Sequence, residues 1–120
     1  MKNYDKERLI DEFIENAIIQ GEATYSGDYK KGNKASDKLF KIGRIMEQNI
    51  DVAKNMLDTI LYHENINVRI WAAGKAIDLD YKKDEAIEVL EKISVMPDAG
   101  ILGFNAEMSL KVRREKGIIK

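Results

Sequence analysis

The sequence predicts an all-α fold, an α-α superhelix of six helices arranged as three antiparallel hairpins. Three observations carry this reading. The 120 residues hold a single proline and few β-branched runs, so little interrupts helix and little favours strand. Apolar residues recur three and four positions apart in successive segments. The stretch from Leu57 to Leu79 reads as an apolar helix end, a short polar turn and a second helix, which opens at Val68-Arg69 and continues through Ala72-Ala73.

The first helix is expected from about Asp5 to Gln20. Leu9, Ile10, Phe13, Ile14, Ala17 and Ile18 form its apolar face, and Gly21 is its expected stop. Asp5, Glu7, Asp11 and Glu12 suit its positive end. The second helix begins after Gly27, with Asp28 near its start, and ends near Gln48. Its expected inward face is Tyr29, Asn33, Ser36, Leu39, Phe40, Gly43 and Met46, with Gly32 and Gly43 marking close crossings. Asn49 caps a third helix, whose stripe is Ile50, Ala53, Leu57, Ile60 and Leu61. Asn65 or Asn67 caps the fourth, with Val68, Trp71, Ala72, Ala76 and Leu79 inward. The fifth runs from about Lys82 to Met96 on Ala86, Val89, Leu90 and Ile93, and Pro97 ends it. The sixth starts between Asp98 and Gly103 and stops before Gly117. It uses Leu102, Ala106, Met108, Ser109 and Val112, and Lys111, Arg113, Arg114 and Lys116 complement its negative end. Connections of about two to seven residues make neighbours antiparallel.

Composition narrows the function. Residues 1–120 read as one domain, long enough to bury roughly two thirds of the unfolded surface. Charged residues are 34% of the chain, yet the net charge is only −1, so no global field points to nucleic acid or to an acidic membrane. Cysteine is absent, which excludes disulfides and thiolate metal sites and fits a reducing compartment. Met1 to Glu7 carries no apolar signal core, and no apolar run approaches the roughly 18 residues of a membrane span. A soluble cytoplasmic protein is the expectation.

Three motifs occur in order: Gly27-Asp28-Tyr29-Lys30-Lys31-Gly32-Asn33-Lys34-Ala35-Ser36-Asp37-Lys38; Asn67-Val68-Arg69 followed by Ala72-Ala73; and Gly100-Ile101-Leu102-Gly103-Phe104-Asn105-Ala106-Glu107-Met108 with Leu110. The stretch from Leu57 to Leu79, which contains the middle motif, resembles one HEAT repeat. In series, the three resemble a small bacterial HEAT/armadillo-like domain-of-unknown-function family, over nearly the whole chain. The chain departs from that pattern at Gly32 and Asn105. The resemblance implies an α-α superhelix and no catalytic residues. Members of such families are often proposed as immunity proteins that neutralise a toxin encoded nearby. In a HEAT-like hairpin an arginine at position 69 links the turns of adjacent repeats through hydrogen bonds. A ligand-facing role is the alternative.

No catalytic constellation emerges from the residues. His63, the only histidine, lies in a predicted turn beside Tyr62 and Glu64 without a visible acid–base partner. A zinc site would have to rest mostly on carboxylates. Asp78-Leu79-Asp80 lacks the glycine and distal glutamate of a calcium loop. The expectation is therefore no enzyme, no metal and no cofactor. Asn33 and Asp37, one turn apart, either join Arg69 or Glu107 in a buried network or line a groove.

Lys30, Lys34, Lys38 and Lys41 make a basic stripe that is a solvated face or a phosphate track. Acids cluster elsewhere, at Asp84, Glu85, Glu88 and Glu91 and between Asp5 and Glu22, as solvating faces or as a surface for a basic toxin. Trp71 is core or an interface anchor, with core the simpler reading. The function these readings favour is a cytoplasmic protein-binding module, an immunity protein that blocks a cognate toxin. Tyr29, Asn33, Asp37, Arg69, Asn105 and Glu107 are its candidate contacts, on the second helix of each hairpin. The alternative is a nucleic-acid-binding solenoid that uses the lysine stripe.

Overall fold

The computed structural model describes residues 5–119. The first four residues of the segment read for a signal core lie outside it. Among the described residues run six α-helices and no strand: α1 (Lys6–Ser26), α2 (Tyr29–Gln48), α3 (Ile50–Ile60), α4 (Ile66–Asp78), α5 (Lys83–Ser94) and α6 (Ile101–Glu115). Two residues, Gly27 and Asp28, join α1 to α2, and Asn49 alone joins α2 to α3, so consecutive helices fold back on each other. α1 packs along α2, and α5 lies between α4 and α6. α1 also touches α3, α4 and α6, so its apolar face serves several neighbours at once. Met46, Met56, Leu57, Ile60, Leu61, Val68, Ile77, Leu90 and Ile93 fill the centre without exposure.

Local chemistry explains most boundaries. Asp5 caps α1 by accepting from the Arg8 N–H at 3.2 Å, and Asp28 caps α2 from Lys31 N–H at 3.2 Å. Asn65 caps α4, its Oδ1 accepting from the N–H groups of Asn67 and Val68 at 2.9 and 3.1 Å. Asn49 behaves otherwise. Its side chain turns back to donate to the Ile45 carbonyl at 3.0 Å and caps nothing in α3. α1 does not stop at Gly21 but at Gly27, which takes the left-handed conformation at φ 79°. Gly21 is needed for packing instead. A Cβ there would stand 3.0 Å from the Asn67 Cβ, so the missing side chain forms a notch for α4.

The inward face of α2 keeps Leu39, Gly43 and Met46 from the expected one but is turned toward Gly32, Ala35 and Ile42. Gly32, Ala35, Leu39, Ile42, Gly43 and Met46 are buried, while Tyr29 is 75% exposed and Asn33 and Phe40 also face out. The cause is the closeness of α1 and α2: a Cβ on Gly32 would lie 3.2 Å from Ala23 Cβ. Only glycine and alanine fit at that crossing, and they set the rotation. Similar shifts occur elsewhere. Met56 replaces the exposed Ile50 in α3, and Leu110 replaces Met108, Ser109 and Val112 in α6.

One polar clasp crosses the core. Asn67, 3% exposed, donates through Nδ2 to the Ala17 carbonyl and to Gln20 Oε1, each at 2.7 Å. Trp71, one turn later in α4, donates through Nε1 to the same Gln20 oxygen at 3.2 Å. A buried carboxamide without such partners would cost more than the bonds themselves contribute.

Asn67→Ala is expected to cost about 1–3 kcal/mol, because it removes both bonds of the clasp to Ala17 and Gln20 and leaves a void at the α1–α4 contact. Gly21→Leu is expected to destabilise at least as much despite its better helix propensity, since it fills the notch. Thermal or urea melts of both variants and of their combination check this. The double variant should lose less than the sum, as both changes act on one contact. A wild-type melt for Gly21→Leu would contradict the packing of α1 on α4.

Candidate functional site

α2, α4 and α6, with Phe13 from α1, enclose an open groove of about 490 Å³. Its floor is apolar: Phe13, Leu39, Phe40, Ile70 and Trp71. Phe40 and Trp71 meet edge to face, with ring centroids 5.5 Å apart and planes at 64°. Phe40 remains 54% exposed, so a large apolar surface is offered to solvent at the mouth. The clasp through Gln20 fixes Trp71, and Trp71 in turn backs Phe40.

The charges around the groove are mostly consumed. Arg113 of α6 donates from Nε and Nη2 to the two oxygens of Asp78, at 3.0 and 2.9 Å. Its Nη1 reaches the Ser109 carbonyl and Oγ at 3.2 and 2.6 Å, and Nη2 also reaches the Gly74 carbonyl at 3.2 Å. All the N–H donors of this guanidinium are thereby used. Gly74 makes that possible, because a Cβ there would sit 2.9 Å from Nη2. Lys75 pairs with Glu47 and ties α4 to α2. Their hydrogen bond, then the attraction of Lys75, holds the Glu47 carboxyl below its ordinary value of 4.5. Arg44 lines the groove and, among the described residues, forms no ion pair.

A second cluster lies at the α4–α5 turn. Asp80 and Lys82 take left-handed backbone there, at φ 54° and 51°. Lys82 Nζ meets Asp58 at 2.9 Å and stands 5.3 and 5.6 Å from the ring centroids of Tyr62 and Tyr81. Tyr81 donates to Asp58 at 2.7 Å, and Tyr62 donates to Glu85. The Asp58 bond holds the Lys82 ammonium above its ordinary range, and the Tyr81 bond, then that of Lys82, holds Asp58 below its own. Each group has a partner inside the cluster, which clips α3 to the start of α5.

The expected contact residues fall outside the groove. Tyr29, Asn33 and Asp37 are exposed on α2, Glu107 is exposed and Asn105 half-buried on α6, and Arg69 is half-buried on α4. None of the six lines the groove, although α2, α4 and α6 all contribute to it. Among the described residues no hydrogen bond joins Asn33 or Asp37 to Arg69 or Glu107, and the buried Nε of Arg69 has no partner. Asn67, in the sequence a candidate cap and the first residue of the middle motif, makes a cross-helix contact instead, to Ala17 and Gln20 of α1. Lys30, Lys34, Lys38 and Lys41 are exposed on α2. His63 is half-buried and accepts from the Asn65 N–H at 3.0 Å through Nδ1, which shapes the turn before α4.

The Asp78–Arg113 clamp was not foreseen, since 35 residues separate its ends and Arg113 read simply as a helix-end cation. The Ala72-Ala73-Gly74 run was the one local sign of a close approach. Among the described residues no group of three His, Asp or Glu could hold a metal, and no helix is long and apolar enough to cross a membrane. Compared with known proteins, the chain matches no family model, no curated protein and no solved structure.

Arg113→Lys is expected to lower stability by about 1–3 kcal/mol, because an ammonium cannot reach Asp78, Ser109 and Gly74 together. A melt equal to wild type would refute the clamp. A second expectation concerns pH. The folded pKa of Glu47 is depressed, so its pairing stabilises above the unfolded value and is lost as pH falls through the folded one. Lys75→Met should therefore melt below wild type at pH 7. The gap should close in acid below the ordinary carboxylate range, and a gap independent of pH would contradict the assignment.

Proposed function

We propose that this chain is a non-catalytic protein-binding module whose recognition surface is the groove between α2, α4 and α6. The observation that carries the reading is the combination of an exposed aromatic floor with charges that, Arg44 apart, are already paired with one another. A catalytic site needs an available acid, base or nucleophile of tuned pKa. Here Arg113, Asp78, Lys75 and Glu47 are committed to positioning helices. What is left is a shaped apolar surface, which is what an interface anchor requires.

The resemblance of the three motifs to HEAT-like families makes the partner a toxin encoded nearby. On this reading the protein is cytoplasmic and neutralises the toxin by occlusion, as an immunity protein does. The absence of cysteine supports the reducing compartment. A second reading, nucleic acid held on Lys30, Lys34, Lys38 and Lys41, draws support from the exposure of all four. It requires a steep loss of affinity with salt.

The test is binding kinetics against the product of the neighbouring reading frame. Phe40→Asp should weaken the complex at least tenfold, about 1.4 kcal/mol, chiefly through faster dissociation. Reversal of Asp37, Glu107 or Glu88 should do little, with melts confirming the fold. If reversal of Asp37 and Glu107 abolishes binding while Phe40→Asp is silent, the outer faces of α2 and α6 make the contact and the groove does not.

A further inference from the structure

We propose that the groove takes an acidic segment of the partner, with an apolar side chain seated on Phe40 and Trp71 and its flanking carboxylates held by Arg44 and the lysine run of α2. This rests on the reading of the groove as a protein-binding surface and names the chemistry of its occupant.

The charge distribution points there. α2 carries six cations, Lys30, Lys31, Lys34, Lys38, Lys41 and Arg44, against two acids, Asp37 and Glu47. The chain as a whole is at −1, so this helix is a local exception. Of the six cations, none forms an ion pair among the described residues, whereas the other groove charges are paired, Lys75 with Glu47 and Arg113 with Asp78. Lys30, Lys34, Lys38, Lys41 and Arg44 follow one another at helical spacing along about 21 Å of α2, and the line ends inside the groove at Arg44. Like charges three and four apart repel and weaken a helix. Asp37 and Glu47 offset only part of that repulsion, and an acidic ligand would relieve the rest.

The same geometry favours peptide over nucleic acid. The floor of Phe13, Leu39, Phe40, Ile70 and Trp71 suits a leucine or phenylalanine side chain. The Arg44 guanidinium offers the planar fork that a single carboxylate fills.

Trp71 is the only tryptophan, so its emission reports on this groove alone. The probe is a tryptophan-free synthetic peptide with a Phe-Leu pair flanked by glutamates on both sides. It should shift or quench Trp71 emission saturably, and Arg44→Glu, with an unchanged melt, should weaken it at least tenfold. Arg44→Lys should fall between. Replacing the peptide's glutamates by lysines, or its Phe-Leu pair by Gly-Ser, should abolish the response. No saturable response to the acidic peptide, or an equal response to the lysine version, overturns the proposal. Saturable binding of oligothymidylate that is lost when Lys34, Lys38 and Lys41 become glutamate would assign the surface to nucleic acid. In the cognate complex the two readings separate: loss on Phe40→Asp without loss on Arg44→Glu keeps the groove and discards the acidic partner. Indifference to both discards the groove as well.

Discussion

The structure depends on one close approach, that of Asn67 to the notch at Gly21. Where α1 meets α4 there is no side chain on one side and a short carboxamide on the other. The carboxamide bonds the Ala17 carbonyl and the Gln20 side chain. A larger residue at 21 would push α4 outward, and an apolar residue at 67 would remove both bonds of the clasp to Ala17 and Gln20. The same Gln20 oxygen holds the Trp71 indole, so the contact that seats α4 also aims the aromatic wall of the groove. Fold and surface are coupled through three side chains.

From that seat the remaining cross-links follow along α4. Lys75 reaches α2, and Gly74 and Asp78 receive Arg113 of α6. α4 is therefore the spine of the groove, and small residues at 72–74 let its neighbours come close. These charged contacts are only partly buried and are individually modest. Their geometry matters more than their energy. Arg113 has no donor to spare and Lys75 is committed, so the groove's own charges are arranged against one another. The unpaired positive charge runs along the outer line of α2 and enters the groove only at Arg44. The cluster of Lys82 between Tyr62 and Tyr81 does the corresponding work at the far end, holding a left-handed turn against α3.

Much of the fold was legible because helices announce themselves by period and punctuation. Pro97, the Gly27–Asp28 pair and Asn65 mark their boundaries by local chemistry that needs no tertiary context. Rotation about a helix axis was less legible. On α2 both the expected stripe through Tyr29 and Phe40 and the observed one through Gly32 and Ala35 have helical spacing. Only the closeness of α1 at Ala23 decides between them. Gly21 failed for the same reason: a glycine that ends a helix and one that admits a neighbour look alike in sequence. The groove was legible at the level of which helices build it and not at the level of residues. Asp78 with Arg113, Glu47 with Lys75, and Gln20 with Asn67 and Trp71 are long-range pairings that no local pattern encodes.

The coupling between clasp and groove is most directly tested by the exposure of Trp71 in a Gln20→Leu variant. The variant keeps the volume of the side chain and removes the oxygen that accepts from both Asn67 and Trp71. Acrylamide quenching of the single tryptophan, read beside far-ultraviolet circular dichroism, gives the answer. The expected result is a clear rise in the quenching constant and a red-shifted emission with helix content unchanged, because the indole is released while the helices persist. Quenching and emission identical to wild type would contradict the coupling and leave Trp71 held by apolar packing alone.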